Sequence, residues 1–215
     1  QPSLRRLQLM TTKQKVYLVD DEPALLRALS RLLRAEGFEV TTFNSATSFL
    51  ETHDPTLPAC VVIDVSMPEM TGLELQQHLI NSASNFSLVF LTANGDIPMS
   101  VRAIKAGAVD FLTKPVKDSE LIGAIRLGIK KTEDNQSLRN EVQLLKERLI
   151  LLTNREKEVF THVVAGEPNK LIASALGITE PTIKVHRGRV MHKMGAKSLA
   201  QLVRIAERLG HLDSN

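Results

Sequence analysis

Short apolar runs punctuate the first half of the chain: VYLV (16–19), EVTTF (39–43), CVVI (60–63), LVFL (88–91) and DFLT (110–113). Brief apolar or β-branched runs bounded by polar turns predict strands, and those without alternation predict strands buried on both faces. Between them the period changes to that of a helix. In PALLRALSRLLRAEG, Leu25, Leu29, Leu32 and Leu33 keep a three-to-four spacing, Pro23 suits the first helical turn and Gly37 stops the helix. Five strands alternating with helices predict a parallel α/β sheet covered on both faces. In such sheets function gathers at the carboxyl ends of the strands.

Beyond residue 131 the texture changes. Leu138, Val142, Leu145, Leu149 and Leu152 repeat at spacings of four and three, and residues 129–154 contain neither Pro nor Gly. The last helix of the α/β half is therefore expected to run on as one long connector. Its stripe suits either a short coiled coil or packing on a neighbouring domain. From residue 152 onward the pattern is helical throughout. Thr153 and Glu156 make a T-x-x-E capping box ahead of EKEVFTHVV. NKLIASAL, the turn GIT, EPTIKVHRGRVMHKM, Gly195 and SLAQLVRIAERLG follow, which predicts four short helices with a helix-turn-helix in the middle.

Composition adds bounds. The 215 residues, 43% hydrophobic and 24% charged, suffice for two small globular domains. No apolar run reaches the roughly 20 residues that span a bilayer, and QPSLRRLQLM lacks the apolar core of a secretory signal. Met10 is the expected natural start, with the first nine residues an upstream extension or remnant, and residues 1–14 as a whole form an N-terminal extension before the first domain. One cysteine, Cys60 in apolar surroundings, forms no internal disulfide and fits a reducing cytoplasm. Charge is divided: residues 15–133 hold 11 Lys and Arg against 15 Asp and Glu, whereas residues 153–209 hold 10 against 5. An acidic half followed by a basic one predicts two domains with different partners, the basic one a nucleic-acid candidate.

The strand ends carry the candidate chemistry. Strand one ends in Asp20-Asp21, strand three in Asp64, strand four in Thr92 and strand five in Lys114. If strands one, three, four and five are neighbours, these groups converge on one edge. Three close carboxylates call for a cation, and oxygen donors suit a hard divalent ion, Mg2+ by preference with Mn2+ as an alternative. A hydroxyl and an ammonium beside them suit phosphate oxygens, so Asp64 is set up as a nucleophile toward a phosphoryl group. Any one of these residues could be a surface charge or a cap. Five at the ends of different strands are hard to obtain by chance.

LVDDEP, VVIDVSMPEMTGLEL and FLTANGDIPMSVRAIKAGAVDFLTKP closely resemble the receiver domain of two-component response regulators, of the FixJ branch, over residues 15–131. The resemblance implies a flavodoxin-like, doubly wound sheet of five parallel strands. It also implies that Asp64 takes a phosphoryl group from a sensor histidine kinase. Asp21 would bind Mg2+ directly, Asp20 through water, and the Ser66 carbonyl would complete the protein ligands with Asp64. Lys114 would contact the phosphoryl group, with a cis peptide before Pro115. Thr92, in the T-A pair with Ala93, would swing toward the phosphate and let Phe111 turn inward. Ser66 and Asn94 occupy positions that tune phosphoaspartate lifetime. A haloacid-dehalogenase type phosphohydrolase also uses a strand-terminal Asp. It needs a second Asp two residues on as general acid, where this chain has Ser66, so the residues favour a held phosphoryl group over enzymatic turnover, with at most slow autodephosphorylation.

In PTIKVHRGRVMHKMGAK (181–197) five residues are basic and none acidic. Ile183, Val190 and Met194 share one helical face, completed by His186 or Arg187. Thr182, Lys184, Val185, Gly188, Arg189 and His192 fall outward, as a major-groove face would require. The parts L-T-x-R-E, G-x-x-N-K-x-I-A, L-G-I-T-x-x-T-I-K-x-H-R and K-M-G-A closely resemble the LuxR/NarL/FixJ-type helix-turn-helix. That implies base reading by Lys184 and Val185, phosphate contacts from Thr182 and His186, and backbone contact from Lys170, with Arg189 on the same basic face. The expected organisation is a receiver (15–131), a helical linker (132–151) and an all-α helix-turn-helix domain (152–215). The expected function is a cytoplasmic, phosphorylation-switched transcription factor. Its implied partners are the kinase, promoter DNA, a second copy of itself when phosphorylated, and RNA polymerase, with no membrane. The alternative is a phosphorylation-independent regulator, against which the intact set Asp20, Asp21, Asp64, Thr92 and Lys114 speaks.

Overall fold

Val61, Val62 and Ile63 offer nothing polar on either side, so the strand they form needs apolar cover on both faces. The computed structural model, which describes residues 14–210 except 56, 83 and 94, provides it. The expected extension falls almost wholly on residues 1–13, and Asn94 is likewise outside the described residues. In chain order the elements are β1 (Lys15–Val19), α1 (Pro23–Ala35), β2 (Glu39–Phe43), α2 (Ala46–Thr52), β3 (Ala59–Asp64), α3 (Gly72–Asn81) and β4 (Phe86–Thr92). There follow α4 (Ile97–Lys105), β5 (Asp110–Thr113), α5 (Asp118–Ile150), α6 (Asn154–Val164), α7 (Asn169–Leu176), α8 (Glu180–Met194) and α9 (Leu199–Arg208).

The five strands pair in parallel in the order β2-β1-β3-β4-β5. Alternation along each strand divides the core into two layers. Val16, Leu18, Cys60, Val62, Val89 and Leu91 meet Leu26, Leu29 and Leu33 of α1 and Leu121, Ala124, Ile125 and Ile129 of α5. Tyr17, Val19, Val61, Ile63, Leu88 and Phe90 meet Phe49 of α2, Leu75 and Leu79 of α3 and Ala103 of α4. On α1 the buried stripe is centred one residue from the expected one. Leu26, Leu29 and Leu33 are buried, while Leu25 and Leu32 flank them half-exposed. Cys60 is wholly buried, and that burial pushes its thiol up to about 12, so it is an inert core residue.

The chain divides between Gln136 and Ser137 into two compact units. The division falls inside α5, which continues unbroken for 33 residues. In the first unit α5 is pinned to the sheet by a buried hydroxyl pair, Ser87 and Thr132 at 2.9 Å. In the second unit Leu145 and Leu152 are buried in the helical core and Val142 and Leu149 are half-buried, while Leu138 is exposed. The lower part of the stripe thus packs within its own unit.

That core joins Val159, Phe160 and Val163 of α6, Ile172 of α7, Ile183, Val190 and Met194 of α8, and Leu202 and Ala206 of α9. Thr153, Thr179 and Ser198 cap α6, α8 and α9. Gly177 (φ 65°) and Gly195 (φ 71°) end α7 and α8 in the left-handed conformation that glycine adopts without strain. Among the described residues no helix is long and apolar enough to cross a membrane.

Glu156 stands out in this apolar core at 2% exposure. Lys193 Nζ lies 2.6 Å from Glu156 Oε2, which also accepts the Thr153 N–H at 2.8 Å. The Lys193 hydrogen bond, then that of Thr153, hold the Glu156 carboxyl down from 4.5 to about 2. Because the folded value is depressed, the resulting stability is present above pH 4.5 and lost as pH falls toward about 2. Thermal unfolding of the full chain across that interval checks this. The melting temperature of the second unit should fall more steeply in the native protein than in Glu156→Gln.

Candidate functional site

Parallel strands place their carboxyl ends on one edge, and β1, β3, β4 and β5 are contiguous there. Asp20 follows β1, Asp64 ends β3, Thr92 ends β4 and Lys114 follows β5. The Lys114 ammonium joins the two acids, with Nζ 2.7 Å from Asp20 Oδ2 and 2.6 Å from Asp64 Oδ1. The remaining oxygen of each carboxylate accepts a backbone N–H two residues on: Glu22 N to Asp20 Oδ1 at 2.8 Å and Ser66 N to Asp64 Oδ2 at 2.7 Å. Both acids are buried, at 3% and 5% exposure. Burial by itself pulls the Lys114 ammonium down, but its hydrogen bonds and charge attraction to Asp20 and Asp64 outweigh that and raise it above its ordinary value. The site is a charged one, with two buried acids against one ammonium.

Other expected residues take different places. Asp21 follows Asp20 in the chain and is exposed, as are Ser66 and Ala93. Thr92 is 2% exposed, and its carbonyl accepts the Lys114 N–H at 2.7 Å, which ties the end of β5 to the end of β4. The Lys114-Pro115 peptide is cis. Phe111 is half-buried and tilted against Phe90, with centroids 5.9 Å apart. Among the described residues no three carboxylate, imidazole or thiolate groups converge as a ready-made metal cage.

Gly72 has a role that its place in the motif did not disclose. A Cβ there would lie 2.4 Å from the Asp64 carbonyl oxygen and 2.9 Å from Ile63 Cγ2. Its N–H donates to the Val65 carbonyl at 3.0 Å, and Glu69 just before it adopts φ 65°. The loop after Asp64 therefore folds back so closely that only a residue without a side chain fits. The sequence signal was the glycine eight residues after the aspartate, at the start of α3.

The second unit holds a second candidate surface. Thr182, Lys184, Val185, Gly188, Arg189 and His192 of α8 are all exposed, and Lys170 is exposed in the first turn of α7. His186 differs from these. It is half-buried, with its Nδ1 buried and without a partner among the described residues. Arg187 is also half-buried and donates to Asn169 Oδ1 at 3.0 Å, bracing α8 against α7. Both residues thus complete the inner face.

Residues 16–126 match the response regulator receiver domain family, and residues 151–206 match the bacterial regulatory proteins of the luxR family. The chain is a response regulator. Among similar proteins, the response regulator protein TodT of Pseudomonas putida is 44% identical over 194 residues, covering 90% of this chain and 86% of TodT. The transcriptional regulatory protein FixJ of Bradyrhizobium diazoefficiens is 41% identical over 204 residues, covering 95% of this chain and all of FixJ. The solved structure of the response regulator StyR superposes with a TM-score of 0.81 at 43% identity, over 91% of this chain and 99% of that one. The response regulator is accordingly a DNA-binding transcriptional regulator of a two-component system, a transcription factor and not an enzyme of the ordinary kind.

The response regulator's Gly72 gives a direct check on the loop. Gly72→Ala should lower the stability of the first unit by about 1–3 kcal/mol, the usual cost of overpacking, because a backbone carbonyl cannot turn aside as a flexible side chain would. Urea unfolding of the two proteins measures it.

Proposed function

We propose that Asp64 is the phosphoryl acceptor of this regulator. The observation that carries the proposal is the pair of buried carboxylates, Asp20 and Asp64, shared by one ammonium at the end of the sheet. Asp64 would attack the phosphorus of a phosphohistidine on the sensor kinase, forming a P–O bond as the P–N bond breaks. Lys114 would turn its charge from Asp20 and Asp64 to the phosphoryl oxygens.

Two buried negative charges beside one positive charge, with exposed Asp21 adjacent, fit a hard divalent cation better than any softer metal. Asp20, Asp21, Asp64 and the Ser66 carbonyl would hold it, with Mg2+ favoured over Mn2+. When bound, it neutralises the carboxylates and the incoming phosphoryl charge. With Ser66 where a phosphohydrolase of the haloacid-dehalogenase type needs its general acid, the phosphoaspartate is a state to be held, with at most slow autodephosphorylation.

Thr92 and Ala93 at the end of β4 and the half-buried Phe111 form the proposed switch. Its output face is α4, where Ile97, Val101 and Ile104 are spaced by four and three and are all exposed, at 76%, 45% and 44%. That stripe supports a homodimer formed on phosphorylation. The proposed organisation is a receiver at 15–131, a connector at 132–151 and a DNA-binding domain at 152–215, acting in the cytoplasm on promoter DNA and through it on RNA polymerase. Lys184 and Val185 would read bases, with Lys170, Thr182, His186 and Arg189 on the backbone. His186 would reach it only through the exposed part of its ring.

Incubation with radiolabelled acetyl phosphate and Mg2+ tests the acceptor. The native protein should take up label with Mg2+ present and far less when the metal is chelated before the reaction, whereas Asp64→Asn should take up none. Equal labelling of the variant would overturn the assignment. DNA affinity tests the basic face. Affinity should fall linearly in log–log form with salt, and Arg189→Ala should reduce that slope by about one. Lys184→Ala should cost about 1–3 kcal/mol on the preferred site alone.

A further inference from the structure

The C-terminal end of α8 leaves carbonyl oxygens that its own helix cannot satisfy. One of them, Met194 O, receives the Arg148 guanidinium from the last turn of α5 at 3.2 Å. The guanidinium lies so close over Gly195 that a Cβ there would come within 2.5 Å of Nη1. The residue just before Met194 on α8, Lys193, reaches back to the end of α5. Its Nζ donates to the Leu151 carbonyl at 3.1 Å, just past the end of α5, and to buried Glu156 at 2.6 Å. Two cations near a helix C-terminus also complement its dipole. The end of α5 and the end of α8 are therefore joined by directional hydrogen bonds in both directions.

We propose that Arg148 is a positioning residue for DNA recognition, fixing the rotation and axial register of α8 from the end of α5. Besides the Arg187 bond to Asn169 of α7, the apolar contacts of Ile183, Val190 and Met194 hold α8 in place without direction, so they tolerate small rotations. Hydrogen bonds do not. At 15 residues α8 is a rigid rod of about 22 Å. A rotation released at Met194 is thus delivered to Lys184 and Val185, whose pairing with base edges depends on aim, whereas phosphate contacts are more forgiving. The inference rests on the reading of α8 as the helix that contacts DNA. Its consequence is a loss of discrimination between sequences rather than of binding as such.

The full chain carries the test. A duplex enriched from a randomised pool by the native protein and a scrambled duplex of the same composition are titrated at fixed salt by fluorescence anisotropy. The proteins are native, Arg148→Met, Arg148→Lys and Lys184→Ala. Arg148→Met should keep its affinity for the scrambled duplex while its preference for the enriched one falls at least about fivefold, the low end of coupling between linked sites. Arg148→Lys, which retains the charge and a donor, should recover most of that preference. An unchanged preference in Arg148→Met with Lys184→Ala impaired overturns the positioning role and leaves the assignment of α8 standing. An unchanged preference in both overturns both. Equal losses on the two duplexes, which mark lost folded protein, overturn the positioning role as well. If circular dichroism finds Arg148→Met unfolded, Arg148→Gln takes its place and the same ratios decide.

Discussion

The Lys114 ammonium, held between the buried carboxylates of Asp20 and Asp64, is the interaction on which the functional edge of the sheet depends. Two acids at 3% and 5% exposure would each be costly to bury unpaired, and beside each other they would repel. One cation cannot neutralise both. The remaining oxygens are satisfied by backbone N–H groups of Glu22 and Ser66, so the pair is fully hydrogen-bonded yet carries net negative charge. That arrangement leaves an unmet demand for positive charge, which the metal ion proposed for this edge would answer. The fold supplies the geometry cheaply, since parallel strands deliver all three residues to one edge and the carbonyl of Thr92 fixes the start of the loop that bears Lys114.

Much of this was legible in the sequence because the forces involved are local or periodic. The strands at 39–43 and 110–113 fall on their apolar runs, and the alternation within each strand sorts cleanly into the two core layers. The capping box of Thr153 and Glu156 is a signal over four residues, and it forms. The convergence of Asp20, Asp64 and Lys114 was conditional on strand order, which no local pattern encodes, and the order β2-β1-β3-β4-β5 satisfies that condition.

What escaped the sequence depends on distance in the chain or on which atom of a residue acts. Glu156 read as half of a cap, but its burial and its pairing with Lys193, 37 residues away, belong to the tertiary structure. Ser66 and Glu22 act on the carboxylates through their backbone N–H groups, to which side-chain identity gives no clue. Gly72 was visible as a glycine, but the closeness of the Asp64 carbonyl was not. On α1 the stripe shifted from Leu25 and Leu32 toward Leu26 because four leucines around one helix leave its rotation undetermined until the sheet selects a face.

Helix α5 shows how one element serves two units under different rules. Its first half presents Leu121, Ala124, Ile125 and Ile129 to the sheet, and its last turns present Leu145 to the helical core. Between them residues 133–141 carry mostly polar side chains, and Leu138 is 58% exposed. An isolated stretch of that composition would be a marginal helix, so its continuity draws on the packing at either end. Apolar packing holds an end in place but does not fix its rotation sharply. In the first unit the hydroxyl of Thr132 supplies that direction through Ser87. In the second the guanidinium of Arg148 and the ammonium of Lys193 supply it. Each half of the helix thus carries an apolar stripe for adhesion and a small polar device for register. Only the second kind of contact can pass a rotation on to a neighbouring helix, because a bond that has a direction is strained when its partner turns.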